Sequence, residues 1–210
     1  MIVVVGESAS GKTTLVKEYV KKHPEYRRIV TYTTRPPREG EQDGVDYHFL
    51  SEAAFDEFSK RDFFVEENMY RNWRYGTARE DCELDKAIVV LTPAGFRALR
   101  TYNMFSDNSP IIVYLYVDRR SRLISMLNRG DDIEEAYRRS LSDVGQFDGV
   151  EKEVEICLVN ERFQLTPEQE VEALDKAIEE HNVKIAKTID DLRDHITEAV
   201  KNVQTEYGDE

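Results

Sequence analysis

Short β-branched runs alternate along this chain with stretches whose apolar residues recur at helical spacing. The run Ile2 to Val5 breaks at Gly6, and between Thr13 and Lys22 the residues Leu15, Val16, Tyr19 and Val20 share one helical face before Pro24. That pattern predicts a strand, a glycine turn and a helix. AIVVL at 87–91, PIIVYLYV at 110–117 and EICLVN at 155–160 read as further strands, rich in residues that suit a sheet covered on both faces. Helical spacing over 93–101 and 119–128 falls between them, so the outer frame reads as a parallel α/β sheet flanked by helices.

The segment 31–77 follows a different pattern, with short alternating runs (VTYTT, VDYHFL, FFVEENMY) around one helix at 51–60. It predicts an insertion carrying a small antiparallel or mixed sheet. RGDDIEEAYRRSL, 129–141, opens at an Arg-Gly pair, caps a helix with acids and ends in arginines, as a hinged lid would. In the tail, Thr166 and Pro167 start a helix with the stripe Val171, Leu174, Ala177 and Ile178, and a second amphipathic helix is expected over about 188–203. The organisation expected is thus a core of 1–30 and 78–210, containing the lid at about 129–141 and C-terminal helices at about 166–203, with an inserted domain at 31–77.

Charge narrows the partners. The 29 Lys and Arg against 42 Asp and Glu leave a formal net charge of -13, which disfavours broad contact with nucleic acid or an anionic membrane. Any phosphate site must be a local basic pocket. Cys82 and Cys157 lie too far apart in sequence for a metal pair and are expected to be reduced and at least partly buried. No run approaches the roughly 20 apolar residues of a membrane span, and no targeting segment is evident, so the expected compartment is the cytoplasm. The four histidines, at 23, 48, 181 and 195, have no partner spacing.

GESASGKTT at 6–14 fits G-x-x-x-x-G-K-[ST] between a strand and a helix. Backbone N–H groups of Gly6, Ser8, Ala9, Ser10, Gly11, Lys12, Thr13 and Thr14 would cradle ATP phosphates at a helix N-terminus, with Lys12 bridging the β- and γ-phosphates and the Thr13 hydroxyl on Mg²⁺. The fold class is therefore an α/β, P-loop NTPase-type parallel sheet, with an inserted small mixed-sheet domain and a short lid. In TYTTRPPREGEQDGVDYHF, 31–49, Arg35, Arg38 and Tyr47 form a local anion site within an acidic protein.

These residues resemble the guanylate kinases, P-loop nucleoside monophosphate kinases. The family signature T-[ST]-R-x-x-[KR]-x-x-[DE]-x-x-[GA]-x-x-Y-x-[FY] is met at Thr33, Thr34, Arg35, Arg38, Glu41, Gly44, Tyr47 and Phe49. The resemblance covers about residues 2–160 and implies transfer of the γ-phosphate of ATP to GMP or dGMP with Mg²⁺. It places the acceptor phosphate on Arg35, Arg38, Tyr47 and Tyr75, and the guanine on Thr31, Glu66 and Thr77. It puts Arg129 and Arg139 of the lid on the migrating phosphoryl group, and Asn160 near the adenine. A carboxylate suits guanine because it accepts from both N1–H and the exocyclic amine.

Two departures matter. Where the family carries two aspartates after the insertion, this chain has Val90 and Thr92, leaving a hydroxyl at Thr92 for the acceptor site and Asp118 as the nearest alternative acid. The second of the family's paired lid arginines falls on Ser140, with Arg122 and Arg138 as substitutes. Two other readings stay open: a kinase of changed base specificity, and an inactive guanylate-kinase-like interaction module. The expected partners are ATP and GMP, without nucleic acid or membrane, in a monomer or homodimer.

Overall fold

The computed structural model describes residues 1–38, 40–70, 72–84, 86–102 and 109–207, and from residue 198 onward backbone alone. Its strands are β1 (Ile2–Val5), β2 (Arg27–Arg28), β3 (Tyr32–Thr33), β4 (His48–Phe49), β5 (Phe64–Tyr70), β6 (Trp73–Ala78), β7 (Ala87–Val90), β8 (Ile111–Tyr116) and β9 (Ile156–Val159). Its α-helices are α1 (Lys12–Lys22), α2 (Glu52–Lys60), α3 (Pro93–Tyr102), α4 (Arg119–Asn128), α5 (Ile133–Ser142) and α6 (Pro167–Tyr207).

The apolar runs become one five-stranded sheet in the order β2-β7-β1-β8-β9, with every pairing parallel. All four residues of β1 are buried, because helices cover both faces. Val3, Val5, Val89, Phe96, Leu99 and Ile112 centre the core. Since β1 lies mid-sheet, the glycine turn that follows it opens at the carboxyl edge of the strands, where open α/β sheets bind ligands.

The expected insertion contains a second sheet, β4-β3-β6-β5, which is mixed: β3 and β4 run parallel, while β6 is antiparallel to both β3 and β5. Its own core is aromatic, with Phe55 stacked on Phe64 at 4.6 Å and Tyr32 edge-on to Phe63 at 5.3 Å. A bulge between Phe64 and Glu66 sets the register of β5. Beyond it the strand alternates, with Glu66, Asn68 and Tyr70 turned inward and Glu67 and Met69 exposed. Ser51 caps α2 by accepting from the Ala54 N–H at 3.2 Å, and Asp132 caps α5 at Glu135 in the same way.

The sequence pattern missed β2 and β6 as strands, and it divided the tail incorrectly. Instead of two helices, α6 runs unbroken from Pro167 to Tyr207. The reason is chemical: no glycine or proline occurs between 168 and 207. Residues 1–171 form one compact unit, and α6 from Glu172 on forms a second. That second unit carries Ile185, Ile189, Leu192 and Ile196 exposed at alternating spacings of four and three.

Candidate active site

The turn after β1 is shaped by its glycines. A Cβ on Gly6 would lie 2.6 Å from the Leu115 carbonyl oxygen and 2.8 Å from Ser10 Oγ, so no larger residue fits there. Ala9 (φ 61) and Gly11 (φ 95) are both left-handed, a conformation that folds successive N–H groups into an anion nest. Helix α1 begins immediately afterwards, at Lys12. Lys12 Nζ folds back, donating to the Glu7 carbonyl at 2.7 Å and to Ser10 Oγ at 3.4 Å. Burial pulls its ammonium down to about 8, against the opposing pull of Asp143 and Glu7.

Asp143, at the C-terminus of α5, braces this turn from behind. Its carboxylate accepts from the Ser8 N–H at 2.9 Å, from Ser8 Oγ at 3.1 Å, from the Tyr70 hydroxyl, and from Arg122 Nη1 at 3.3 Å. The Arg122 and Asp143 side chains are only 7% and 3% exposed. Arg122 also reaches Glu7 at 3.6 Å and donates from Nε to the Val117 carbonyl. One carboxylate therefore joins the turn after β1, α5, α4 and the end of β5. The sequence reading passed over it, because its partners lie far away along the chain.

On the insertion side, buried Arg35 donates to Glu41 Oε1 at 2.9 Å and to the Pro36 carbonyl at 2.9 Å, with the Tyr47 ring 5.2 Å from its guanidinium carbon. The other oxygen of Glu41 accepts from the Arg38 backbone N–H at 2.7 Å, so a single acid holds both arginines in place. Arg38 keeps an exposed edge. Even so, desolvation of its guanidinium, with the charges of Arg139 and Arg35, lowers it to about 10. Arg35, Arg38 and Arg139 thus crowd together, as an anion site requires. Between α4 and α5, Asp131 accepts from Arg139 Nη1 at 2.7 Å and from Arg129 Nε at 3.0 Å. Burial opposes its ionisation, but the two arginines hold its carboxyl below the usual range.

Glu66 lies at the other end of the acceptor region. Its Oε1 accepts from Thr77 Oγ1 at 2.6 Å and its Oε2 from Asn68 Nδ2 at 2.7 Å. Burial raises its carboxyl above the ordinary value, and the two hydrogen bonds pull the other way. Thr92 donates to Asn68 Oδ1 at 3.1 Å and accepts from the Gly95 N–H at 3.1 Å, capping α3. Asn68, like Tyr70, was missed by the sequence reading, although its place two residues beyond Glu66 on a strand puts it on the same face.

A single cavity of about 650 Å³ brings the two halves together. Of the sequence-selected residues, Gly6, Ser8, Ala9, Gly11, Lys12, Thr13, Thr14, Thr31, Arg35, Arg38, Tyr47, Glu66, Tyr75, Thr92, Arg129, Arg139 and Asn160 line it. Ser10 and Thr77 are buried behind the lining, Ser10 beneath Lys12 and Thr77 against Glu66. The Asn160 amide is committed to holding its own loop against the start of α6, donating to Glu170 Oε1 at 2.6 Å and accepting from the Leu165 N–H at 2.9 Å. That loop places Phe163, in a left-handed conformation (φ 51), on the cavity wall.

Three expectations are corrected. Asp118 is not a cavity acid: it caps α4 at Ser121, accepts from the Arg162 N–H, and is pulled down to about 2, first by its hydrogen bond with Ser121. Arg138 does not substitute in the lid, because it pairs with Glu135 at 2.7 Å on the exposed side. Cys157 is exposed rather than buried, since β9 turns alternate residues outward.

Among the described residues, no group of three or more His, Cys, Asp or Glu could hold a metal ion, and the carboxylates lining the cavity are Glu66 and Glu170. Thr13 presents a hydroxyl at the cavity, a hard oxygen donor compatible with an Mg²⁺ ion that keeps several waters and takes substrate phosphates as ligands. Also among the described residues, no helix is long and apolar enough to cross a membrane.

A phosphate loop and an arginine-lined acceptor pocket facing one cavity define a P-loop nucleoside monophosphate kinase. The guanylate kinase profile matches residues 1–181. The guanylate kinase of Nitrosococcus oceani is 30% identical over 167 residues, covering 79% of this chain and 82% of that protein. The guanylate kinase of Gloeobacter violaceus is 36% identical over 146 residues, covering 68% and 70%. The crystal structure of the guanylate kinase from Anaplasma phagocytophilum shares the fold, with a TM-score of 0.60 at 15% identity over 85% of this chain and 84% of that one. The chain belongs to the guanylate kinase family.

Proposed function

We propose that the protein transfers the γ-phosphate of ATP to GMP, giving ADP and GDP, with Mg²⁺ as cofactor and the cytoplasm as its compartment. The observation that carries this reading is the single cavity, which joins Lys12 and the nest at one end to the Arg35, Arg38 and Tyr47 cluster and the buried Glu66 at the other. Neither the altered-base reading nor the inactive-module reading gains support from the site or the relatives.

The protein supplies position and charge rather than a nucleophile. Arg35, Arg38, Tyr47 and Tyr75 hold the acceptor phosphate, and Glu66 accepts from the N1–H and amino group of guanine. An acceptor-phosphate oxygen attacks the γ-phosphorus, the bond to the β,γ-bridging oxygen breaks, and ADP leaves. Lys12, Arg129 and Arg139 neutralise charge on the moving group, and the lid excludes water. Thr13 would hold Mg²⁺, which when bound spreads the charge of the phosphates. Phe163 and the loop pinned by Asn160 form the wall for the adenine of ATP.

The test is ADP release from ATP across GMP, dGMP, AMP, CMP, UMP and dTMP, for the wild type and Glu66→Gln. Turnover is expected with GMP or dGMP. Glu66→Gln should lower kcat/KM for GMP at least about tenfold while leaving the KM for ATP within about twofold, since one buried acceptor becomes partly a donor. Preference for AMP or a pyrimidine nucleotide would overturn the base assignment, and silence across the panel would overturn the activity.

A further inference from the structure

Resting on the assignment of Glu66 to the guanine, we propose that Asn68 is a positioning residue for acceptor specificity: together with Thr92 it fixes the orientation and the ionised form of the Glu66 carboxylate. An ionised carboxylate can only accept, so the nitrogen end of the Asn68 amide must face Glu66, at 2.7 Å. Its oxygen then faces Thr92, whose one hydroxyl proton goes to Asn68 at 3.1 Å while its lone pair takes the Gly95 N–H at 3.1 Å. Thr77 supplies the second donor, at 2.6 Å.

Every hydrogen bond in this network therefore points toward Glu66. With one donor on each oxygen, the carboxylate cannot rotate without losing both. Its remaining lone pairs are left for the two N–H donors of a guanine. Helix α3 leaves the space for this arrangement: a Cβ on Gly95 would lie 3.2 Å from both Asn68 Nδ2 and Glu66 Oε2. The aspartate that the family carries at position 92 is thereby replaced by a neutral pair, a threonine capping α3 and an asparagine on β5.

Charge makes the role testable. Of the titratable groups that act on Glu66, Glu67, its neighbour on the other face of the strand, adds a like charge, and Cys82, from the segment after β6, is held neutral with its thiol raised to about 12. The Asn68 and Thr77 donors are what favour the ionised form against burial and Glu67. Removing the Asn68 donor should make Glu66 easier to protonate. Asn68→Asp should do something different. A second acid beside Glu66 cannot ionise freely, but when the pair retains one proton, the introduced carboxyl can donate as the amide does.

The experiment is the pH profile of kcat/KM for GMP, from pH 5.5 to 9, for the wild type, Asn68→Ala and Asn68→Asp. The KM for ATP and the far-UV spectrum are measured alongside. For Asn68→Ala the expected result is a tenfold to hundredfold loss at pH 7, of the size of a hydrogen bond to a charged group, with the acid limb moved to higher pH and the KM for ATP within about twofold. For Asn68→Asp the expected result is a larger loss at pH 8 that is partly recovered as the pH falls, the opposite trend. Parallel, pH-independent losses in the two folded variants, or a profile for Asn68→Ala that superimposes on the wild type, would overturn the proposal. A wild type unable to use GMP would instead overturn the assignment beneath it.

Discussion

Removing the Asp143 carboxylate should be the most damaging single change behind the phosphate loop. Asp143→Ala leaves the Ser8 N–H, the Ser8 hydroxyl and the Tyr70 hydroxyl without their carboxylate, and Arg122 with its carbonyl bonds to Val117 and Ser8 but only the longer 3.6 Å contact to Glu7 as an ion pair. Because both side chains of the Arg122–Asp143 pair are more than nine-tenths buried, the loss is governed by a buried charge left with only the longer Glu7 contact to balance it. Removing one partner of such a pair costs roughly 3–5 kcal/mol. At about 2–4 °C per kcal/mol for a domain of this size, Tm should fall by on the order of 10 °C. Guanidinium unfolding monitored by circular dichroism would measure it, with the midpoint lowered and the slope unchanged. Arg122→Met in the Asp143→Ala background should restore part of the loss, because the orphaned cation is gone. A loss below about 1 kcal/mol, or a double variant whose loss is the plain sum of the singles, would refute the reasoning.

Two further outcomes follow from the same geometry. With its ammonium lowered to about 8 by burial, Lys12 is charged below that pH and neutral above it, so kcat/KM for ATP should fall as the pH rises through 8. Kcat at saturating ATP should persist to higher pH, because bound phosphate favours the charged form; an ATP profile flat to pH 9.5 would refute this. Gly76→Ala should destabilise the insertion by about 1–3 kcal/mol, since the new methyl meets the Phe64 ring at 2.8–3.0 Å, and a melting curve matching the wild type would remove that contact from consideration.

The parts of the site legible in the sequence are those written in local order. Gly6 to Thr14 and Arg35 to Tyr47 are contiguous segments whose spacing carries their chemistry, whereas Glu66 was placed by the resemblance to the guanylate kinases, whose pattern puts it nine residues before Tyr75. Asp143 could not be found in this way. Its partners Ser8 and Tyr70 lie 135 and 73 residues away, so only the three-dimensional fold reveals it. Asn68 was hidden for a different reason, since an asparagine in a strand gives no signal until its neighbour's role is known. Asp118 misled because an acid at the end of a strand also makes a good helix cap, and here capping was its use. The uninterrupted α6 was legible in principle from the absence of glycine and proline, whereas the two-residue strand β2 is too short to leave a pattern.

Strand β5 works as a gauge. Glu66, Asn68 and Tyr70 sit at successive inward positions, which span about 13 Å at the usual rise of an extended chain. One end carries Glu66, the residue proposed to read the acceptor base, and the other is tied through Asp143 to the loop proposed to hold the donor phosphates. The bulge between Phe64 and Glu66 sets the zero of that scale. Inserting or deleting one residue at the bulge would turn all three side chains to the opposite face at once, so the proposed base reading and phosphate spacing would be lost together rather than one at a time.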